Sequence, residues 1–212
     1  MQKPTIPKAP ISQTLLYDQL PQSYVPPIVA VLPDMARHTK QLVEAAQKSG
    51  TSLERAFEKS IDAAFTILGY ETTLFGQGRG RVPDGRAIAH DENYVILWDA
   101  KIRAESYSLG TDDRIIREYI NTQTRDLTRR FRNIYYLIIS SSFADDFDET
   151  IASIKMETDV SEVVLVDAEA LVTTVDAKLR TPLQISLGPD GIQRLLARGG
   201  LLKADMVRQY LV

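Results

Sequence analysis

The chain has 212 residues, of which 44% are hydrophobic and 25% charged, and this composition predicts one globular domain with a substantial core. It contains no cysteine and two histidines, which excludes disulfides, thiolate metal sites and histidine-rich metal sites. The net charge of −3 argues against a protein that binds nucleic acid tightly on its own. No apolar run approaches the length of a membrane span, and the first ten residues have no secretory pattern, so we expect a cytoplasmic protein.

The N-terminal segment is rich in proline. Seven of the ten prolines fall within the first 33 residues. Such a composition is typical of an extended tether, here with one short helix around residues 11–20. We therefore divide the chain into a proline-rich tether, residues 1–33, and a folded domain, residues 34–212.

Two helices are predicted next. Asp34 can cap a helix that runs to about Ser49 and is closed by Gly50. The capping box Thr51–Glu54 begins a second helix, which ends at Gly69. Its apolar side chains recur at helical spacing: Leu53, Ala56, Phe57, Ile61, Ala64, Phe65 and Leu68.

Glu58 lies along the apolar stripe of this second helix. A carboxylate in such a position is costly unless a cation compensates for its charge, and a metal ion would do so. The alternative is a solvated helix edge formed by Glu58, Lys59 and Asp62. The spacing leaves both interpretations open.

Three strands are predicted after this helix, at residues 71–75, 82–89 and 94–100, and the glycine-rich loop GQGRGR separates the first two. The loop lacks the Lys-Ser/Thr of a P-loop and leads into a strand, which argues against a nucleotide cradle. Residues 90–93 can form a hairpin turn between the last two strands.

Asp84, Asp99 and Lys101 are the most informative residues. Side chains alternate along a strand, so Asp99 and Lys101 project from the same face, and the hairpin brings Asp84 beside them. Two carboxylates and an ammonium group at one place can hold a divalent cation together with a phosphodiester. The alternative is that Asp-x-Lys is a solvated strand end and Pro-Asp an ordinary turn.

The remainder of the chain predicts an α/β succession. A helix from residue 111 to about 130 precedes a near-continuous apolar run at 134–142, which is typical of a strand buried on both faces. Helix 145–157, strand 162–167 and helix 168–180 follow, a pattern that favours parallel pairing. Short helices near 188–197 and 203–211 complete an α/β fold with a central mixed sheet of about five strands flanked by helices.

Pro83-Asp84, a spacer and Asp99-Ala-Lys101 after an apolar strand resemble the PD-(D/E)xK nuclease superfamily. The segments GYETTLFGQGRGRVPDG, VILWDAKIRAESYSLG and GGLLKADMVRQYL are similar to parts of the FokI-type cleavage domain of type IIS restriction enzymes. The resemblance implies a restriction-endonuclease-like fold and metal-dependent hydrolysis of DNA. It implies Asp84 and Asp99 as ligands of Mg²⁺, with Mn²⁺ as an alternative, the Ala100 carbonyl as a further ligand, and Glu58 as an additional or outer ligand.

The resemblance also suggests how the chain meets its partners. Lys101 would orient water or hold the scissile phosphate, and Arg79 and Arg81 of the glycine-rich loop would contact the DNA backbone, unless the loop is only a flexible turn. A separate recognition domain or subunit would choose the site on double-stranded DNA. Arg114 and Glu118, four residues apart on one helix face, would join a weak homodimer or heterodimer on DNA, or would form only an intrahelical pair.

Two other function classes stay open. One is a catalytically silent binding or regulatory module with a nuclease fold, against which the intact Asp84, Asp99 and Lys101 argue. The other is an aspartate-based phosphoreceiver domain, which also combines acidic metal ligands with a lysine. The acidic pair that such a domain carries at its first strand end is missing here.

Overall fold

The computed structural model describes residues 24–75, 82–111, 113–144, 147–180 and 188–211. The helices in these ranges are α1 (Pro27–Ala30), α2 (Leu32–Ala36), α3 (Lys40–Lys48), α4 (Leu53–Leu68), α5 (Asp113–Leu127), α6 (Asp148–Glu157), α7 (Ala168–Arg180), α8 (Pro189–Leu196) and α9 (Ala204–Leu211). The strands are β1 (Glu71–Leu74), β2 (Gly85–Ala89), β3 (Tyr94–Ala100), β4 (Asn133–Ser140), β5 (Glu162–Asp167) and β6 (Gly200–Leu202). A 3₁₀ turn covers Leu109–Thr111.

All six strands form one mixed sheet in the order β1-β2-β3-β4-β5-β6. The first three strands pair antiparallel, and β3 to β6 pair parallel. The turn between β2 and β3 is four residues long and ends at Asn93, whose φ of 58° is left-handed, and such a short link permits only an antiparallel pair. Along the chain, at least one helix lies between each strand and the next of this parallel set, as a crossover connection requires.

Helices cover both faces of the sheet, as the sequence predicts. On one face α4, α7, α8 and α9 pack around the side chains of Tyr94, Ile96 and Trp98. On the other face α5 and α6 pack around Val95 and Leu97. Strand alternation therefore divides the core into two layers, and β4 is buried along almost its whole length, which confirms the prediction of a strand covered on both faces.

The sheet has six strands where the sequence predicts about five. The additional strand, β6, has three residues, which is too short for an alternating pattern to reveal it. It forms because Gly200, Leu201 and Leu202 pair with β5. The fold class itself, a mixed sheet flanked by helices, is confirmed.

The N-terminal part of the domain differs from the prediction. Asp34 does not cap a long helix but lies inside α2, because Pro33 occupies the first turn of that helix. A new helix begins only at Lys40, after His38 adopts a left-handed φ of 58°. Val29 and Leu32, which fall in the predicted tether, are completely buried in the core against α4.

The division of the chain at residue 33 stays a prediction for residues 1–23, which lie outside the described ranges together with the short helix expected near 11–20.

Helix α4 agrees well with its prediction. Ser52 rather than Thr51 caps it, its hydroxyl accepting from the Arg55 N–H at 3.1 Å, and Gly69 closes it with a φ of 102°. Among the helices in the described ranges, none combines the length and the apolarity that crossing a bilayer requires.

Candidate active site

Asp84 and Asp99 meet at the end of the β2–β3 hairpin. Gly85 pairs with Trp98, so the residue before β2 comes beside the residue after Trp98. The Asp84 N–H lies 3.1 Å from the Trp98 carbonyl and 3.3 Å from Oδ1 of Asp99, while the Ala100 N–H donates to Oδ2 of Asp84 at 2.7 Å. The two carboxylates therefore sit in one frame of backbone hydrogen bonds, and the predicted convergence is confirmed.

Lys101 completes this group. Its Nζ lies 3.2 Å from Oδ2 of Asp99, and its backbone N–H donates to the Ile139 carbonyl on β4 at 2.9 Å. The ammonium group is therefore at ion-pair distance from the Asp99 carboxylate. The alternation of the strand thus places Asp99 and Lys101 on one face, as predicted.

Negative charge is crowded at this site. Burial of Asp84, followed by the nearby charges of Asp99 and Glu58, raises the pKa of the Asp84 carboxyl from 3.8 to about 7, although the Ala100 N–H and Lys101 act in the opposite direction. Oδ2 of Asp99 is buried and accepts no hydrogen bond. A buried carboxylate oxygen without a hydrogen bond, in a pair with excess negative charge, fits a hard divalent cation.

Glu58 is buried, with 5% of its surface exposed, so the alternative of a solvated helix edge is wrong. Its cationic partner is Arg55, one turn earlier on α4, whose Nη1 lies 2.6 Å from Oε2 of Glu58. Glu58 therefore contributes charge to the site, while an arginine already compensates it. In the described part of the chain, no three carboxylate or imidazole groups surround a single point that a metal ion could occupy.

Tyr136 belongs to the site, although no motif in the sequence marks it. It is completely buried on β4, and burial together with the facing Asp99 carboxylate raises the pKa of its phenol well above 10. The hydroxyl interacts electrostatically with Asp99, and both the hydroxyl oxygen and Oδ2 of Asp99 are buried without a hydrogen-bond partner among the described residues. Two adjacent tyrosines in a buried, largely apolar strand are the signal that could have found it, because a buried hydroxyl requires a partner.

Gly85 fixes the position of Asp84. A Cβ on this residue would overlap the indole of Trp98, which packs directly against the hairpin backbone. The glycine of the Pro-Asp-Gly segment is therefore required by close packing beside the carboxylate pair.

Arg114 and Glu118 lie on one surface of α5. Together with Asn121, Thr122 and Arg125 they line a shallow concavity. Ile115 beside them has 45% of its surface exposed.

Arg79 and Arg81 fall outside the residues that the structure describes, and their predicted contact with DNA stays a prediction.

A family model described as "FokI, cleavage domain" matches residues 16–193. The chain belongs to the FokI cleavage-domain family. The structure of restriction endonuclease FokI superimposes with a TM-score of 0.64 at 16% identity, and the structure of FokI bound to DNA with 0.64 at 18% identity. Each comparison covers 88% of this chain and 32% of the other, so the chain spans about a third of the length of FokI.

The small subunit of the heterodimeric restriction endonuclease R.BspD6I is also similar, with a TM-score of 0.53, 14% identity, and coverage of 87% of this chain and 94% of that subunit. A comparison with curated protein sequences gives no match. At these identities the structural likeness establishes the fold. Membership in the FokI cleavage-domain family identifies a nuclease domain and removes the phosphoreceiver alternative.

Proposed function

We propose that the chain hydrolyses phosphodiester bonds of double-stranded DNA in a reaction that requires a divalent cation. The observation that carries this proposal is the convergence of Asp84, Asp99 and Lys101 at the end of one hairpin. Two acidic side chains beside an ammonium group form a donor set for a cation and a phosphate, and no side-chain nucleophile is required.

Asp84, Asp99 and the Ala100 carbonyl would hold Mg²⁺, or Mn²⁺ as an alternative, because hard cations prefer oxygen ligands. When bound, such a cation would supply Lewis-acid stabilisation of the phosphate and make water a stronger acid. Glu58 acts from outside this shell, since Arg55 is its direct partner.

Lys101 has a distinct role in this proposal. Asp99 holds its ammonium group at the site, and its three N–H donors can orient the attacking water or a phosphate oxygen. The water oxygen forms a bond to phosphorus as the bond to the leaving oxygen breaks, so negative charge accumulates beside this ammonium group. A residue that stabilises this developing charge affects the rate of cleavage more than the affinity for DNA.

Sequence recognition would come from another domain or subunit. The net charge of −3 predicts weak DNA binding without sequence preference at physiological salt. Two copies, or this chain and a related subunit, would meet on DNA through the α5 surface that contains Arg114 and Glu118, because one metal site cuts one strand. The heterodimeric relative and the shallow concavity on α5 support this part of the proposal.

A plasmid-nicking assay tests the proposal. The wild-type chain should nick supercoiled DNA with Mg²⁺ and not with EDTA, whereas Asp99→Ala and Lys101→Ala should lose nicking by at least about a hundredfold while remaining folded. Thermal unfolding of each variant provides the control for folding. Full activity in a folded Asp99→Ala protein would refute the assignment, and no activity in the wild type would favour the catalytically silent module.

A further inference from the structure

Arg86 lies on the same face of the sheet as the carboxylate pair. It follows Asp84 by two residues on β2 and pairs with Thr73 on β1 and Leu97 on β3. Leu97 is itself two residues before Asp99, so alternation directs all four of these β2 and β3 side chains to one face.

Phe75 draws the guanidinium of Arg86 towards the catalytic end of the sheet. The Phe75 N–H donates to the Asp84 carbonyl at 2.9 Å, which places this phenylalanine level with Asp84 on the outer side of β2. The guanidinium carbon of Arg86 lies 5.7 Å from the centroid of the Phe75 ring. The ring therefore holds the guanidinium near the end of β2 that carries Asp84. Lys101 lies on the other side of β2, next to β3, on the same face of the sheet.

The guanidinium lacks an anionic partner among the described residues. No ion pair of Arg86 occurs there, and its buried Nε has no acceptor. Arg55, by contrast, is fully engaged with Glu58 at 2.6 Å. A buried Nε–H without an acceptor is unfavourable, and the guanidinium has further N–H donors beside it, which points to a ligand that supplies acceptors.

We propose that Arg86 binds a DNA backbone phosphate that flanks the scissile phosphate, a step that rests on the proposed nuclease function. Lys101 and Phe75 lie on strands two places apart, which separates them by roughly 10 Å across the sheet. Because the two cations stand on either side of Asp84, Lys101 can hold the scissile phosphate while Arg86 holds a neighbouring phosphate of the same strand. Arginine presents its donors as a planar fork that matches phosphate, and stacking on an aromatic ring leaves the edge of that fork available.

DNA binding without metal provides the first test, because it does not depend on cleavage. A fluorescein-labelled DNA duplex should be titrated with wild-type protein and Arg86→Gln in EDTA, by fluorescence anisotropy over a series of KCl concentrations. Loss of one phosphate contact should lower the slope of log K against log [KCl] by about one and weaken binding roughly tenfold at low salt. Arg86→Lys should retain most of the salt slope but bind more weakly than wild type.

Arg132→Gln is the matched control. Arg132 is an exposed arginine immediately before β4, at the opposite end of the sheet from Asp99, and its loss changes the net charge equally. The salt slope should change more for Arg86→Gln than for Arg132→Gln. Equal changes in the two variants would show a general charge effect and would overturn the inference.

Plasmid nicking with Mg²⁺ provides the second test. Arg86→Gln should raise KM roughly tenfold and alter kcat by less than about threefold, with the midpoint of urea unfolding close to that of the wild type. Wild-type KM and salt slope in Arg86→Gln would overturn the inference, and Arg86→Lys serves instead if the glutamine variant does not fold. If the wild type fails to nick DNA, the nuclease proposal is refuted, and the EDTA titrations then still decide whether Arg86 binds phosphate.

Discussion

Replacement of Asp84 by asparagine should make the metal-free protein more stable and at the same time inactive. Asparagine keeps the acceptor for the Ala100 N–H but carries no charge. The folded protein raises the pKa of Asp84 from 3.8 to about 7, so between these pH values it binds a proton that the unfolded chain releases. The free energy of unfolding therefore falls as pH rises through this window, and above about pH 7 ionised Asp84 exerts its full destabilising effect.

The size of the effect follows from the same pKa values. A rise from 3.8 to about 7 corresponds to a ceiling of about 4 kcal/mol at pH 8. Asp84 is only partly buried and its shift depends in part on the charge of Asp99, so we expect about half of this ceiling, roughly 2 kcal/mol. At pH 4.5, where the folded carboxyl is already protonated, the difference between the two proteins should be well under half as large.

Urea unfolding in EDTA at pH 8 and pH 4.5 measures these differences. Asp91→Asn, in the exposed turn of the same hairpin, controls for the loss of one negative charge. Mg²⁺ should stabilise the wild type and have little effect on Asp84→Asn, because a ligand that binds only the folded state raises its stability. If Asp84→Asn is no more stable than the wild type at pH 8, the carboxylate pair is not under electrostatic repulsion and the reasoning is refuted.

Three further substitutions test neighbouring features. Tyr136→Phe removes the hydroxyl that interacts with Asp99 and should raise the Mg²⁺ concentration for half-maximal nicking severalfold, with a free energy of unfolding within about 1 kcal/mol of wild type. An unchanged Mg²⁺ requirement would show that the hydroxyl has no such role. Gly85→Ala should destabilise the protein by about 3 kcal/mol in urea because its Cβ meets Trp98, and unaltered stability would show that the indole can move. Glu118→Arg should lower the ratio of linear to nicked plasmid, and adding Arg114→Glu should restore part of it; an unchanged ratio in both would exclude this surface of α5 as the interface.

The sequence predicts the centre of the site because that centre depends on local rules. Strand alternation and a four-residue turn are sufficient to bring Asp84, Asp99 and Lys101 together. The burial of Glu58 follows from helical periodicity, but its pairing with Arg55 does not, since a metal ion would satisfy the same requirement.

The partners that come from distant parts of the chain could not be predicted. Tyr136 reaches Asp99 only because β4 pairs with β3 in one register, which a connection containing a whole helix does not fix. Phe75 and Arg86 meet through a pair of strands whose connecting loop has no sequence signal for register. Strand β6 forms through its pairing with β5, and its three residues are too few to show a strand pattern of their own.

The location of the carboxylates on a hairpin has a consequence for the order in which the protein folds. Asp84 and Asp99 are 15 residues apart, and their strands can pair by closing one short loop. Tyr94 and Asn133, which begin the parallel pair of β3 and β4, are separated by 39 residues, and closing that longer loop costs more chain entropy. The hairpin can thus form early, so two like charges are brought together before the parallel strands and their covering helices complete the core. A cation available during folding would relieve this repulsion, and Mg²⁺ would then accelerate refolding as well as support cleavage.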